Sequence, residues 1–141
     1  MSQEADTTAA RDAAAAPPRF GLGVDLITVG ELDRLAERPW FTRFAFAESE
    51  LAQADAMTGE RRREFLAGRF AAKEAVLKAL GSGLFQGVVP RDISLVRGPS
   101  GAPRVDLLAT AGAAAAAAGI GQVTVSITHK AGLVAAVAAA W

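Results

Sequence analysis

One helical segment most constrains what this chain of 141 residues can fold into. From about Arg61 to Leu80, the apolar residues Leu66, Phe70, Leu77 and Leu80 fall within about 80° of arc at 100° per residue. That stripe needs an apolar surface to lie on. Gly81-Ser82-Gly83 terminates the helix and opens a loop.

The segments around it supply the surface. From Phe20 to Thr28 the chain alternates, with Phe20, Leu22, Val24 and Leu26 on one face and Gly21, Gly23 and Asp25 on the other. This predicts a half-buried strand. Glycine within a strand marks close approach of a ligand or another backbone, and the two glycines are expected to leave open space beside Asp25. Glu31 to Arg38 predicts a short helix stopped by Pro39. A second is expected from Glu48 to Met57, with a frayed start because Ala47 has no side-chain acceptor to cap it. Asp92–Val96 and Arg104–Leu107 read as strands joined by the turn Gly98-Pro99-Ser100-Gly101. Ala109 to Ala118 is an alanine-rich helix ended by Gly119. Gln122–Thr128 is a strand with Val123, Val125 and Ile127 facing in. His129 to Gly132 turns the chain, and Leu133 to Ala140 is a final apolar strand. There is no internal repeat. The fold class is α+β, a small, mostly antiparallel sheet packed against helices.

Residues 1–18 combine Glu4, Asp6, Arg11 and Asp12 with Ala13–Ala16 and Pro17-Pro18, and read as a disordered N-terminal tail ahead of a single domain over 19–141. They lack the basic start and apolar stretch of a secretory signal, and no segment has transmembrane character. The protein is expected to be cytoplasmic, with no membrane partner. Fifteen basic and fifteen acidic residues cancel, which argues against a nucleic-acid binder held by phosphate neutralisation. With no cysteine and a single histidine, thiolate and His-rich metal sites drop out. A metal would need carboxylates and would be a hard ion such as Mg²⁺.

On the long helix Glu74 and Lys78 are four apart and share a face. Spacing alone favours an ordinary solvated ion pair. Lys73 lies near the middle of the apolar stripe, where a lysine must snorkel outward or find an anion. The glycines at 21 and 23 are not a dinucleotide fingerprint, because Leu26 stands where a third glycine would be needed.

Three segments in order change that balance: GLGVD (Gly21–Asp25), FLAGRFAAKEAVLKALGSG (Phe65–Gly83) and VSITH (Val125–His129). Together they closely resemble the holo-acyl-carrier-protein synthase family, the small, single-repeat branch of the 4′-phosphopantetheinyl transferases. The likeness runs from about Phe20 to Ala140. It implies the phosphopantetheinyl transferase fold and transfer of the 4′-phosphopantetheine arm of coenzyme A to a serine of an acidic acyl carrier protein, releasing adenosine 3′,5′-bisphosphate. By the same resemblance Asp25 and Glu74 hold Mg²⁺ (or Mn²⁺) and Lys78 touches the pyrophosphate. Arg69, Lys73, His129 and the loop Gly81, Ser82, Gly83 surround coenzyme A. The acceptor of the serine proton is open between a metal-bound water and Glu74.

The family is a trimer with active sites between subunits, and a homotrimer is expected here. It docks its carrier on arginines of the first helix after the aspartate strand; here Arg34 lies on that helix and Arg38 and Arg43 follow it. Glu31 stands where another arginine is expected, and Asp33 and Glu37 are interleaved. The carrier can therefore belong to fatty-acid synthesis or to a polyketide or peptide synthetase. Lys130 adds a positive charge after His129, or is simply an exposed turn lysine. Two alternatives come from other classes. One is a non-catalytic coenzyme A or carrier-binding module of the same fold. The other is a metal-dependent phosphohydrolase, which would need a denser Asp/His cluster than this chain has.

Overall fold

The computed structural model describes residues 19–83 and 86–141. The expected tail over 1–18 and positions 84 and 85 lie outside the described residues. In chain order the elements are β1 (Gly21–Thr28), α1 (Val29–Ala36), α2 (Pro39–Ala45), α3 (Glu48–Asp55), α4 (Gly59–Ala79), a 3-10 turn (Pro90–Asp92), β2 (Ile93–Arg97), β3 (Pro103–Leu107), α5 (Ala109–Ala118), β4 (Val123–Lys130) and β5 (Leu133–Ala140). The strands form two antiparallel sheets, a three-stranded one in the order β1-β5-β4 and a separate β2-β3 hairpin.

The helix α4 lies on the three-stranded sheet, and small residues let it lie close. A Cβ on Gly21 would stand 1.9 Å from the carbonyl oxygen of Ala79, and one on Gly23 would stand 1.8 Å from that of Ala75. The space expected beside Asp25 is therefore filled by helix backbone, and the glycines mark a strand–helix approach. Ala136, Ala138 and Ala140 of β5 and Ala71, Ala75 and Ala79 of α4 are all buried in this layer.

The two faces of β1 are reversed from the simplest hydrophobic expectation. The glycine face is covered by α4, while Leu22, Val24 and Leu26 are 63%, 61% and 66% exposed. In register, Leu22 pairs with Ala139, Val24 with Val137, and Leu26 with Ala135, so these side chains form one apolar outer face. Phe20, Leu133 and Trp141 are also exposed.

Local signals account for the element ends. Thr28 and Glu31 form a capping box at the start of α1: the Glu31 N–H donates to Thr28 Oγ1 at 3.1 Å, and the Thr28 N–H donates to Glu31 Oε2 at 2.7 Å. Pro39 both ends α1 and opens α2, because a proline at the first helical position loses no helical hydrogen bond. Helix α2 has no counterpart among the elements expected from sequence. The start of α3 is firmer than expected: Glu50 Oε2 accepts from the Ala47 N–H at 3.0 Å, so the helix entry is tied down. At the end of α4, Gly81 has φ +77°, the Ser82 N–H donates to Leu77 O at 2.8 Å and the Gly81 N–H to Lys78 O at 3.0 Å. The turn into β5 is only Ala131-Gly132, both with positive φ. His129 and Lys130 are therefore strand residues.

Candidate active site

The close approach of α4 to β1 builds the first half of the site. It brings Glu74 and Lys78 beside Asp25. Lys78 Nζ donates to the Val24 carbonyl at 2.8 Å and lies 3.4 Å from Asp25 Oδ1. Glu74 Oε1 is buried and has no hydrogen-bond partner among the described residues. Burial raises the Glu74 carboxyl above its usual pKa, the Asp25 charge raises it further, and Lys78 opposes both. An orphaned carboxylate oxygen next to a second carboxylate is a donor set suited to a hard divalent cation. Among the described residues no group of three or more His, Cys, Asp or Glu side chains comes together.

The second half is a cleft of about 470 Å³ between the N-terminal part of α4, the β2-β3 hairpin and β4. Arg61, Arg69, Arg97, Glu64 and His129 line it. Arg69 stacks on Phe65 with its guanidinium carbon 4.6 Å from the ring centroid. Its Nε is buried without a hydrogen-bond partner among the described residues. Burial lowers the Arg69 pKa, Glu50 opposes that shift, and Arg97 adds to it. His129 Nδ1 lies 3.6 Å from Glu64 Oε1, an ion pair only when the imidazole is protonated. Arginines held close to one another, one with an unpaired N–H, are a site for an anion.

The expected site residues therefore divide into two groups. Asp25, Glu74 and Lys78 come together at β1, while Arg69 and His129 come together at β4. Strand β5 lies between, which separates β1 from β4 by about 10 Å. Gly81, Ser82 and Gly83 follow α4 on the Lys78 side. Lys73 is in neither group, which corrects its assignment to the coenzyme A surface. It is fully buried, with Nζ 2.6 Å from Glu50 Oε2 and donating to Pro90 O at 3.1 Å. Burial lowers its pKa and Glu50 opposes the shift. Arg34 on α1, Arg38 at the cap before α2 and Arg43 on α2 are exposed. Arg61, Arg97 and Glu64 were not singled out from sequence. Arg61, Phe65, Gly68 and Arg69 follow helical spacing and could have been read as one face. Arg97 comes from the hairpin and carries no such signal.

A strand carboxylate, a helix carboxylate and a helix lysine, with an arginine-lined cleft on the same helix, form a set of groups suited to a hard cation and a polyanionic ligand. The model of the 4′-phosphopantetheinyl transferase superfamily matches residues 21–138. A holo-[acyl-carrier-protein] synthase of Listeria monocytogenes is 38% identical over 112 residues, covering 79% of this chain and 88% of the relative. One from Gluconobacter oxydans is 43% identical over 96 residues, covering 67% of this chain and 60% of the relative. The crystal structure of the Helicobacter pylori holo-[acyl-carrier-protein] synthase in complex with coenzyme A superposes with a TM-score of 0.72 at 25% identity, covering 85% of this chain and 99% of that one. This chain belongs to the 4′-phosphopantetheinyl transferase superfamily, in its holo-acyl-carrier-protein synthase branch. Among the described residues no helix is long and apolar enough to cross a membrane.

Proposed function

We propose that this chain transfers the 4′-phosphopantetheine arm of coenzyme A to a serine hydroxyl of an acidic acyl carrier protein. The serine oxygen forms a bond to the β-phosphorus. The bond from that phosphorus to the bridging oxygen breaks, and adenosine 3′,5′-bisphosphate leaves with the electron pair while the serine gives up its proton. The observation that carries this reading is the face of α4 that presents Glu74 and Lys78 beside Asp25.

Asp25 and Glu74 would hold Mg²⁺. Bound there, the metal neutralises pyrophosphate charge that would otherwise repel the nucleophile. Lys78, half-exposed and anchored on the Val24 carbonyl, supplies a further positive charge at the pyrophosphate. Arg69, Arg97, Arg61 and His129 receive the phosphorylated nucleotide end, and the arginine-lined cleft supports that role. The loop at Gly81–Gly83 borders the arm.

The site is completed between subunits of a homotrimer. Two observations support this. Among the described residues, the lining of the arginine cleft includes none of Asp25, Glu74 and Lys78. The outer sheet face exposes Leu22, Val24, Leu26 and Val137 together, an apolar surface suited to burial against another copy.

Incubation with apo carrier, coenzyme A and Mg²⁺, followed by mass spectrometry of the carrier, tests the reaction. The expected result is one phosphopantetheine adduct. Coenzyme A binding with no adduct on any of several acidic carriers would instead identify a binding module. Running fatty-acid and polyketide carriers in parallel identifies the acceptor.

A further inference from the structure

The arginine cleft contains one group of the wrong sign for an anion site. Among the described residues that line it, Glu64 is the single carboxylate, beside Arg61, Arg69 and Arg97. A carboxylate there repels any phosphate that the guanidiniums attract. Three guanidiniums line the same cleft, yet among the described residues none comes within 4 Å of Glu64. Its one cationic partner is His129, with Nδ1 3.6 Å from Glu64 Oε1. The arginines are thus left free for a ligand, and the carboxylate is reserved for the imidazole.

The pairing follows from how α4 meets β4. Gly68 faces Ile127: a Cβ on the glycine would stand 3.4 Å from Ile127 Cγ2. Glu64 is one helical turn before Gly68, and His129 is two residues after Ile127 on the same strand face. The helix turn and the strand step carry both side chains to the same side of that contact. His129 is 57% exposed, and its side chain makes no hydrogen bond among the described residues. With Nδ1 turned to Glu64, Nε2 is the ring nitrogen left for a ligand. The other charges at this place are Arg61 and Arg69 of α4, Arg97 of β2, and Lys130, which follows His129 on β4. All four are positive and repel an imidazolium; Glu64 is the one charge that attracts it.

We propose that Glu64 is a positioning residue for the transfer: it holds the Nδ1 edge of His129 and so presents Nε2 to a phosphorylated group of coenzyme A. The proposal deepens the transferase reading and rests on it. Glu64 itself touches no substrate. The ordered donor it supplies outweighs the repulsion it adds.

Binding of adenosine 3′,5′-bisphosphate, the leaving product of the proposed transfer, to the full chain tests this. Calorimetry gives the Kd. NMR follows the imidazole of His129, whose signals are identified at once because the chain has one histidine. The two roles open to Glu64 predict opposite signs. A carboxylate that only repels should give tighter binding when it is replaced in Glu64→Gln. A positioning carboxylate gives weaker binding, so the Kd and the coenzyme A KM should rise about three- to tenfold. The kcat and the carrier KM should stay at wild-type values. The loss should disappear without the imidazole: added to His129→Ala, Glu64→Gln should leave the Kd unchanged or lower it. The bisphosphate should move the His129 signals in the wild type, and move them less in saturated Glu64→Gln. Equal or tighter binding by Glu64→Gln overturns the proposal, as does a loss that persists in full beside His129→Ala. Normal bisphosphate binding with no adduct on any acidic carrier overturns the transferase reading instead, and the two failures are told apart because the binding assay needs no carrier.

Discussion

At the scale of single residues, Glu74 sits where function and stability oppose each other. Its carboxyl is raised above the ordinary value by burial first and by Asp25 second. A carboxyl with a raised folded pKa binds its proton more tightly in the native state. Its stability penalty is absent below the unfolded value near 4.5 and is fully present once pH exceeds the folded value. At neutral pH, Glu74→Gln should therefore stabilise the metal-free protein by up to about 1 kcal/mol, since water still reaches the group and screens it. The same change should remove most transfer activity. Thermal melts read both effects: Mg²⁺ should raise the midpoint of the wild type and not that of the variant. A variant that melts lower without metal and transfers normally would sink the assignment. Much of this centre was legible, because Glu74 and Lys78 share a helix face and Asp25 lies on an alternating strand. Lys73 was not. Its place in the apolar stripe demands an anion, but nothing in the local pattern names Glu50. Losing the partner of a buried charge is costly, so Lys73→Met should destabilise by about 3–5 kcal/mol, measured by urea unfolding. Replacing Glu50 as well should not restore stability. Glu50 also accepts from the N–H groups of Ala47 and Leu95, which would be left unpaired.

At the scale of elements, the contact of β1 with α4 decides the site. Only glycine at 21 and 23 lets the helix backbone come close enough for Lys78 to reach the Val24 carbonyl. Gly23→Ala would drive a methyl group into the Ala75 carbonyl. It should cost about 3 kcal/mol or more and separate Glu74 from Asp25. The expected outcome is a lowered melting point together with loss of the Mg²⁺-induced stabilisation; a neutral substitution would show that the layer can part without harm. β1 and α4 were legible because each carries a regular period, and α5 and β5 because Gly119 ends the alanine-rich run and Gly132 precedes the last apolar one. The helix α2 is hidden in the sequence because its start coincides with the proline that ends α1, so a single residue signals two events. The capping box at α1 is visible as Thr28 and Glu31, three apart, and it accounts for Glu31 without reference to docking. Which face of β1 is buried in the chain was not legible. The pattern of alternation is the same whether the apolar side meets a helix or another subunit.

At the scale of the whole molecule, the apolar outer sheet and the divided site lead to one test. If each active site takes its carboxylates from one subunit and its arginine cleft from the next, two different inactive variants can repair each other. A trimer mixing Glu74→Gln chains with Arg69→Ala chains contains one junction at which an intact carboxylate set meets an intact cleft. Random assembly from equal amounts makes about three quarters of the trimers mixed, so about one quarter of all sites should work. Co-refolding the two variants should thus recover about a quarter of wild-type transfer, although each alone is nearly inactive. A site contained within one chain predicts no recovery, since every chain in the mixture carries a defect. Leu26→Lys provides the complementary result. It places a charge in the centre of the outer sheet face and should shift sedimentation to a single chain mass. Transfer should fall in parallel, while Lys73 and Glu50 keep their buried pairing and the isolated subunit stays folded by circular dichroism. Recovery in the mixture and loss on dissociation together require the same cause, a reaction centre that no single copy of this chain completes.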